Sequence, residues 1–196
     1  MLKIVLAAAF AAAATCGGSA LAQGQSPTLA RIKAAKSINV AFSPDSAPFS
    51  AAAGAGAAPQ GYSIELCKRA VAQIARALGE PELQINWIPG SVEQRLQMVA
   101  GGRAELECAN TTQTQTRLAQ VDFSNLIFVD GGGLLVKAGA PVNRIADLAG
   151  KRVAVLKGTT TEQRLEKALR LRQVQATLVP VDAAGVGLSL LEAGTV

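Results

Sequence analysis

The chain has 196 residues, 49% of them apolar, 17% charged and 4% aromatic, with a net charge of +5 and no histidine. The length suits one large domain or two small ones, and the composition is that of a globular chain. The missing histidine excludes a Ser-His-Asp triad, a Cys-His pair and His-ligated zinc, and scattered positive charge with few aromatic residues argues against a nucleic-acid surface.

The first residues read as an export signal. Lys3 supplies one positive charge, an apolar run extends from Ile4 to Ala14, and Ala20-Leu21-Ala22 forms a small-residue ending before Gln23. The run is too short for a stable membrane anchor. Cleavage is expected after Ala22; Cys16 is the alternative, as a lipidation site, but Ala13-Ala14-Thr15 lacks the leucine pattern of such signals. The exported chain keeps Cys67 and Cys108 in an oxidising compartment. These two are either bridged, which stabilises by roughly 4 kcal/mol on the chain-entropy model, or two buried thiols acting as small hydrophobes.

A helix is expected over Leu29–Ala35, then a strand over Ser37–Phe42. Ser43 to Ser50 is a loop by its proline and serine content, and Ala51–Pro59 is an aperiodic Ala/Gly tract. Ser63 is a candidate N-cap for a helix whose apolar residues run from Ile64 to Leu78, with Gly79 as the stop. Next come a strand at Leu83–Ile88, a helix at Ser91–Ala100, a short strand at Ala104–Cys108 and a polar turn with a helix start over Asn110–Gln120. Leu126–Val129 and Gly133–Lys137 are strand-like. A second block has a short helix over Val142–Leu148, strands at Arg152–Leu156 and Ala176–Val181, and helices at Thr160–Arg172 and Ala184–Ala193. This alternation means a parallel, helix-flanked sheet, and such sheets bind ligands outside the carboxyl ends of their strands.

Two strand ends carry chemistry. Asn110-Thr111-Thr112-Gln113-Thr114 is a run of amides and hydroxyls ending near Arg117. A guanidinium clamps a carboxylate with two parallel bonds, so the run reads as a carboxylate socket or as an ordinary polar turn. Lys157-Gly158-Thr159-Thr160 follows the next strand, with Thr159 and Glu162 at capping-box spacing. It is an anion-friendly helix start or simply a cap. Arg95 reads first as a solvated helix arginine and second as a cleft residue. Phe49 and Tyr62 are core rings or walls of an apolar slot, and Glu162, Glu166 and Lys167 read as a solvated face. No phosphate loop, metal-ligand spacing or nucleophile elbow is present.

Several short motifs, in order, resemble one family. They are Ala47-Pro48-Phe49-Ser50, Gly61-Tyr62-Ser63-Ile64-Glu65-Leu66, Arg95 in its helix, and Glu107-Cys108 leading to Thr111-Thr112 and Arg117. Val121-Asp122-Phe123-Ser124, Asp147-Leu148-Ala149-Gly150-Lys151-Arg152-Val153 and Gly158-Thr159-Thr160 follow. From about Leu29 onward the chain resembles the periplasmic amino-acid-binding proteins of ABC transporters, most closely their glutamate/aspartate-binding branch. The resemblance implies an α/β, two-lobed type 2 periplasmic-binding fold. Lobe one would be residues 23–137 with a hinge strand near 129–137, and lobe two residues 138–196, incomplete at its C-terminal end. It implies a periplasmic monomer that carries a free amino acid to the transmembrane subunits of a permease, with no cofactor, no metal and no catalytic residue.

By the same resemblance, Arg117 with Asn110 and Thr112 would hold the ligand's α-carboxylate, met by Thr159 and Thr160 from lobe two, with Phe49 and Tyr62 lining the side-chain pocket. The acidic-ligand branch has an arginine and a histidine where this chain has Ser43 and Ala184, although Arg95 matches another arginine of that branch. A ligand's side-chain carboxylate therefore loses most of those partners, and burying it unpaired is costly. A chain that stops at Val196 is expected to bind weakly and to be of low stability. Two other functions are compatible with this fold: a cyclohexadienyl-dehydratase-like enzyme and a ligand-sensing domain.

Overall fold

The computed structural model describes residues 26–54 and 56–196. The export segment, Cys16 and the cleavage position after Ala22 lie outside the described residues. The chain begins with α1 (Pro27–Ala35), β1 (Ser37–Phe42) and two short strands, β2 (Asp45–Ser46) and β3 (Ser50–Ala51). It continues through α2 (Tyr62–Leu78), β4 (Gln84–Pro89), α3 (Val92–Ala100), β5 (Leu106–Cys108) and α4 (Gln115–Leu118). After a short 3-10 helix at Ile145–Leu148 come β6 (Arg152–Leu156), α5 (Thr160–Leu171), β7 (Thr177–Val181) and α6 (Ala184–Glu192).

The first unit is a parallel sheet in the order β4-β1-β5. The central strand β1 pairs from Ser37↔Gln84 to Phe42↔Pro89 on one side and from Val40↔Leu106 to Phe42↔Cys108 on the other. A central parallel strand is covered on both faces and reads apolar almost throughout. Ile38, Val40 and Phe42 enter a core with Ile32, Ile64, Val71 and Leu78, while Ala41 on the opposite face meets Met98 and Ala104. Each fully buried isoleucine or valine side chain contributes on the order of 2 kcal/mol. Trp87 closes the edge with its ring T-shaped to Phe42, centroids 6.1 Å apart. Cys67 of α2 and Cys108 of β5 are joined as a disulfide across this core, which decides between the two readings of that pair. The Ala/Gly tract is a loop tied at its base, where Ala51 and Gln60 exchange backbone hydrogen bonds of 2.9 and 2.8 Å.

Ser63 is not the N-cap of α2. The helix starts one residue before it, its N-cap is Gly61, and Ser63 is buried inside the first turn. The carbonyl oxygens of Pro48 and Phe49 accept the N–H groups of Tyr62 and Ser63, so the free donors of the first turn need no side-chain cap. Gly61 has φ +131°, and a Cβ there would strike the Phe49 and Pro48 carbonyls. Only glycine satisfies both demands. This junction fixes the loop that carries Phe49.

The second unit pairs β6 with β7 in parallel, from Arg152↔Thr177 to Leu156↔Val181. The alternation of strands and helices thus yields parallel sheets in both units, as the sequence pattern predicts. The segments Leu126–Val129 and Gly133–Lys137 depart from it. Neither enters a ladder, and Leu126 and Val129 are 70% and 82% exposed. An apolar run is a strand only where a neighbour takes its N–H and C=O groups, and among the described residues none does. The stretch at 129–137, expected as a hinge strand, is therefore a connection without regular secondary structure.

Candidate functional site

Within each parallel sheet the carboxyl ends lie on one side, and the residues that follow all five of these strands line one cleft of about 1590 Å³. Ser43 and Asp45 follow β1, Gly90 follows β4, Asn110, Thr111, Thr112 and Arg117 follow β5, Lys157 to Thr160 follow β6, and Asp182 follows β7. The two donor-rich strand ends meet here. The Arg117 guanidinium donates to the carbonyl of Thr112 at 2.8 Å and, across the cleft, to that of Gly158 at 3.3 Å. The hydroxyls of Thr112 and Thr160 lie 3.2 Å apart. Two of the five guanidinium N–H groups are engaged in this way, so donors remain for a ligand. Burial pulls the Arg117 pKa below its ordinary value, with the nearby Glu107 carboxylate acting in the opposite sense. A partly desolvated guanidinium gains more from a carboxylate than a hydrated one.

Thr159 lines the cleft, but its hydroxyl is occupied. It donates to the Leu156 carbonyl at 2.7 Å and accepts from the Glu162 N–H at 3.1 Å, acting as the N-cap of α5. Glu162 is not a solvated-face residue, since its carboxylate accepts from the Gly158 N–H at 2.7 Å. Of the triple-threonine tip, Thr160 is the residue whose hydroxyl reaches the first unit. Asn110 is exposed on the cleft wall.

Arg95 departs most from its sequence reading. It is 1% exposed, the largest fully buried side chain among the described residues. Its Nε donates to Glu107 at 2.7 Å, Nη1 to the Gly90 carbonyl at 2.6 Å and Nη2 to the Thr111 hydroxyl at 3.3 Å, and Thr111 in turn donates to Glu107 at 2.8 Å. Val92, Arg95 and Val99 share one face of α3 by helical spacing, the same face as Met98, and that signal was available in the sequence. A buried guanidinium requires a carboxylate, and Glu107 supplies it.

Phe49 lines the cleft, and its partner there is Phe128, with ring centroids 5.0 Å apart. Tyr62 stands behind Phe49, centroids 6.2 Å apart, and is not on the cleft wall. Its hydroxyl donates to the Ile127 carbonyl at 3.1 Å, so it anchors the segment that carries Phe128. Phe128 was hidden in the sequence within a run read as a strand. Ser43 is buried at the cleft floor, its hydroxyl bonded to Asp45 at 3.1 Å and Ser46 at 2.7 Å. Asp45, which sequence reasoning passed over, reaches the second unit: its carboxylate accepts the Ala184 N–H at 2.9 Å.

Residues 38–182 match the model described as bacterial extracellular solute-binding proteins, family 3. The L-glutamate/L-aspartate-binding protein of Pseudomonas aeruginosa is 32% identical over 85% of this chain and 55% of its own length. The glutamate/aspartate import solute-binding protein of Escherichia coli is 32% identical over 68% of this chain and 44% of its own. The chain spans about half the length of the curated relatives it matches. Among solved structures, an amino acid ABC transporter substrate-binding protein of Streptococcus pneumoniae bound to L-arginine superposes with TM-score 0.72 at 29% identity, covering 85% of this chain and 68% of that one. The architecture is therefore the two-lobed type 2 periplasmic-binding fold, of which this chain covers part.

Proposed function

Because the chain belongs to the bacterial extracellular solute-binding proteins of family 3, we propose that it is the extracytoplasmic binding component of an ABC importer, holding one free amino acid and delivering it to a membrane permease. In this reading residues 23–137 form one lobe and 138–196 the other, with the stretch at 129–137 as the hinge. Arg117, with Asn110 and Thr112, grips the α-carboxylate, Thr160 meets it from the opposite lobe, and Phe49 and Phe128 wall the side chain. The protein acts as a monomer in the periplasm after cleavage following Ala22. Affinity follows closure, since one ligand contacts both lobes.

The observation that carries this reading is the Arg117 guanidinium at the join, bonded to Thr112 on one side and Gly158 on the other. It assigns no catalytic residue: relatives of the chain are named as binding proteins, and Glu107 on the cleft wall is tied to Arg95. A thermal-shift screen against the twenty amino acids tests it. At least one should raise Tm at millimolar concentration, because a ligand held by the folded state stabilises by RT ln(1 + [L]/Kd). Arg117→Ala should remove the shift. A screen with no shift for any amino acid overturns the proposal.

A further inference from the structure

Two arginines line the cleft on either side of Glu107 in the sequence, and the structure gives that carboxylate to one of them. Arg95 and Glu107 both reach the cleft wall, yet their side chains are 2% and 16% exposed. Glu107 Oε1 accepts Arg95 Nε at 2.7 Å and the Thr111 hydroxyl at 2.8 Å, and the same hydroxyl accepts Arg95 Nη2 at 3.3 Å. The three bonds close a ring. A fourth, from Nη1 to the Gly90 carbonyl at 2.6 Å, fixes the guanidinium from the end of β4.

The residue after Thr111 is Thr112, whose carbonyl takes the Arg117 guanidinium. Arg117 therefore begins one residue beyond the ring, within electrostatic reach of both its charges. Burial lowers the Arg117 pKa, the Glu107 carboxylate opposes that fall, and the Arg95 charge adds to it. The two arginines are nonetheless in different states. Arg95 is paired with an anion of the chain, whereas the bonds of Arg117 go to the neutral carbonyls of Thr112 and Gly158. Carbonyls are weaker partners for a guanidinium than a carboxylate, so Arg117 is held ready without being neutralised.

We infer that Arg95 is a positioning residue for the ligand site: by keeping Glu107 for itself, it leaves the Arg117 guanidinium open to a carboxylate from outside. The role rests on the reading above, in which Arg117 grips the α-carboxylate. Without the Arg95 charge, Glu107 is a mostly buried carboxylate that has lost its counter-charge, which is a costly state. Arg117 is the cation that relieves it, and an Arg117 so occupied must give up that pair before it takes a ligand. Arg95 acts through Glu107 and touches no ligand.

Calorimetric titration of the parent chain and three variants with each of the twenty amino acids tests the inference. In Arg95→Gln, every amino acid that binds the parent should lose about tenfold in affinity, because the α-carboxylate is common to all of them. Arg95→Gln/Glu107→Gln removes the competing anion, leaves no half of the ion pair buried alone, and should restore affinity to within about threefold of the parent. Arg95→Lys keeps a cation for Glu107 and should also stay within about threefold, although its Tm falls with the lost bonds to Gly90 and Thr111. A merely structural role gives another ranking: affinity follows Tm, and the double variant binds no better than Arg95→Gln. That ranking overturns the inference, as does undiminished binding by Arg95→Gln. A loss confined to glutamate and aspartate also overturns it, since Arg95 would then be a contact for a ligand's side-chain carboxylate. If Arg95→Gln does not fold, the other two variants decide, and a tenfold loss in either overturns the inference while leaving amino-acid binding intact. A parent chain that binds none of the twenty overturns the binding reading itself.

Discussion

The two units are built from the same βα grammar and hold together differently. In the first, β1 has a neighbour on each edge and helices on each face, so that Ile38, Val40 and Ile64 have no exposed surface at all. In the second, β6 and β7 have one partner each, and α6 leaves Val186 and Leu188 about half exposed, at 50% and 47%. The first unit is stabilised by burial and by a crosslink. The second buries only Leu148, Val155, Leu169 and Val181 among its large apolar residues, with no crosslink, and adds threads to its neighbour: Asp45 to Ala184, Arg117 to Gly158, Thr112 to Thr160 and Lys137 to Glu192. In the binding role proposed above, closure on a ligand moves one unit against the other about the connection between them.

The largest test of this difference is the disulfide. It closes a loop with a sequence separation of 41 between α2 and β5. Converting Cys67 and Cys108 to serine should lower the stability of the first unit by about 4 kcal/mol. Hydrogen exchange at the amides of β1 and α2 reads this directly, and those of β6 and β7 should keep their protection. Equal loss in both units would mean that they unfold together, and the contrast drawn above would fail.

What the sequence revealed of these units follows the same division. Periodicity located the α/β elements of both, because amphipathic helices and apolar strands are local properties. Gly79 marked the end of α2 for the same reason. The carboxyl-end rule for parallel sheets, together with the chemistry of Arg117 and the threonines, points to strand ends that line the cleft. Apart from Glu162, whose partner Gly158 is local, the errors involve distant partners. Ser63 was read as a cap because nothing local announced that the Pro48 and Phe49 carbonyls would arrive at Gly61. Arg95 was read as solvated because its carboxylate lies 12 residues on, in another strand. Tyr62 and Phe128 exchanged roles because their order behind and beside Phe49 is set by tertiary packing.

A smaller effect separates capping from ligand contact in the second unit. The Thr159 hydroxyl is doubly bonded within its own turn. Thr159→Ala should therefore destabilise α5 by about 1 kcal/mol, and Thr159→Ser should restore it. Thermal unfolding reads the stability, and calorimetry on the same variants reads the ligand. A Thr159→Ala variant of full stability that loses amino-acid affinity would return this hydroxyl to the binding site and leave α5 capped by other means.

The smallest effect concerns Asp147, at the entry to the second unit. Its carboxyl is held below the usual carboxylate range, chiefly by the Asn143 N–H at 2.9 Å, with the Arg144 side chain and N–H adding to it and desolvation opposing. A carboxyl whose folded pKa lies below its unfolded one stabilises the fold when ionised. The contribution is complete above the unfolded value of about 3.9 and is lost as pH falls through the lower folded value. Asp147→Asn should accordingly melt slightly below the parent chain at pH 7 and at pH 5, with the two curves converging as the pH falls through the lowered folded value. The difference should be confined to β6, β7 and the helices against them when followed by hydrogen exchange. A gap of constant size down to the lowest pH would show that the aspartate acts through its shape and not its charge. A loss of protection spreading equally into β1 and α2 would show that the second unit is coupled to the first more tightly than the side-chain hydrogen bonds between them explain.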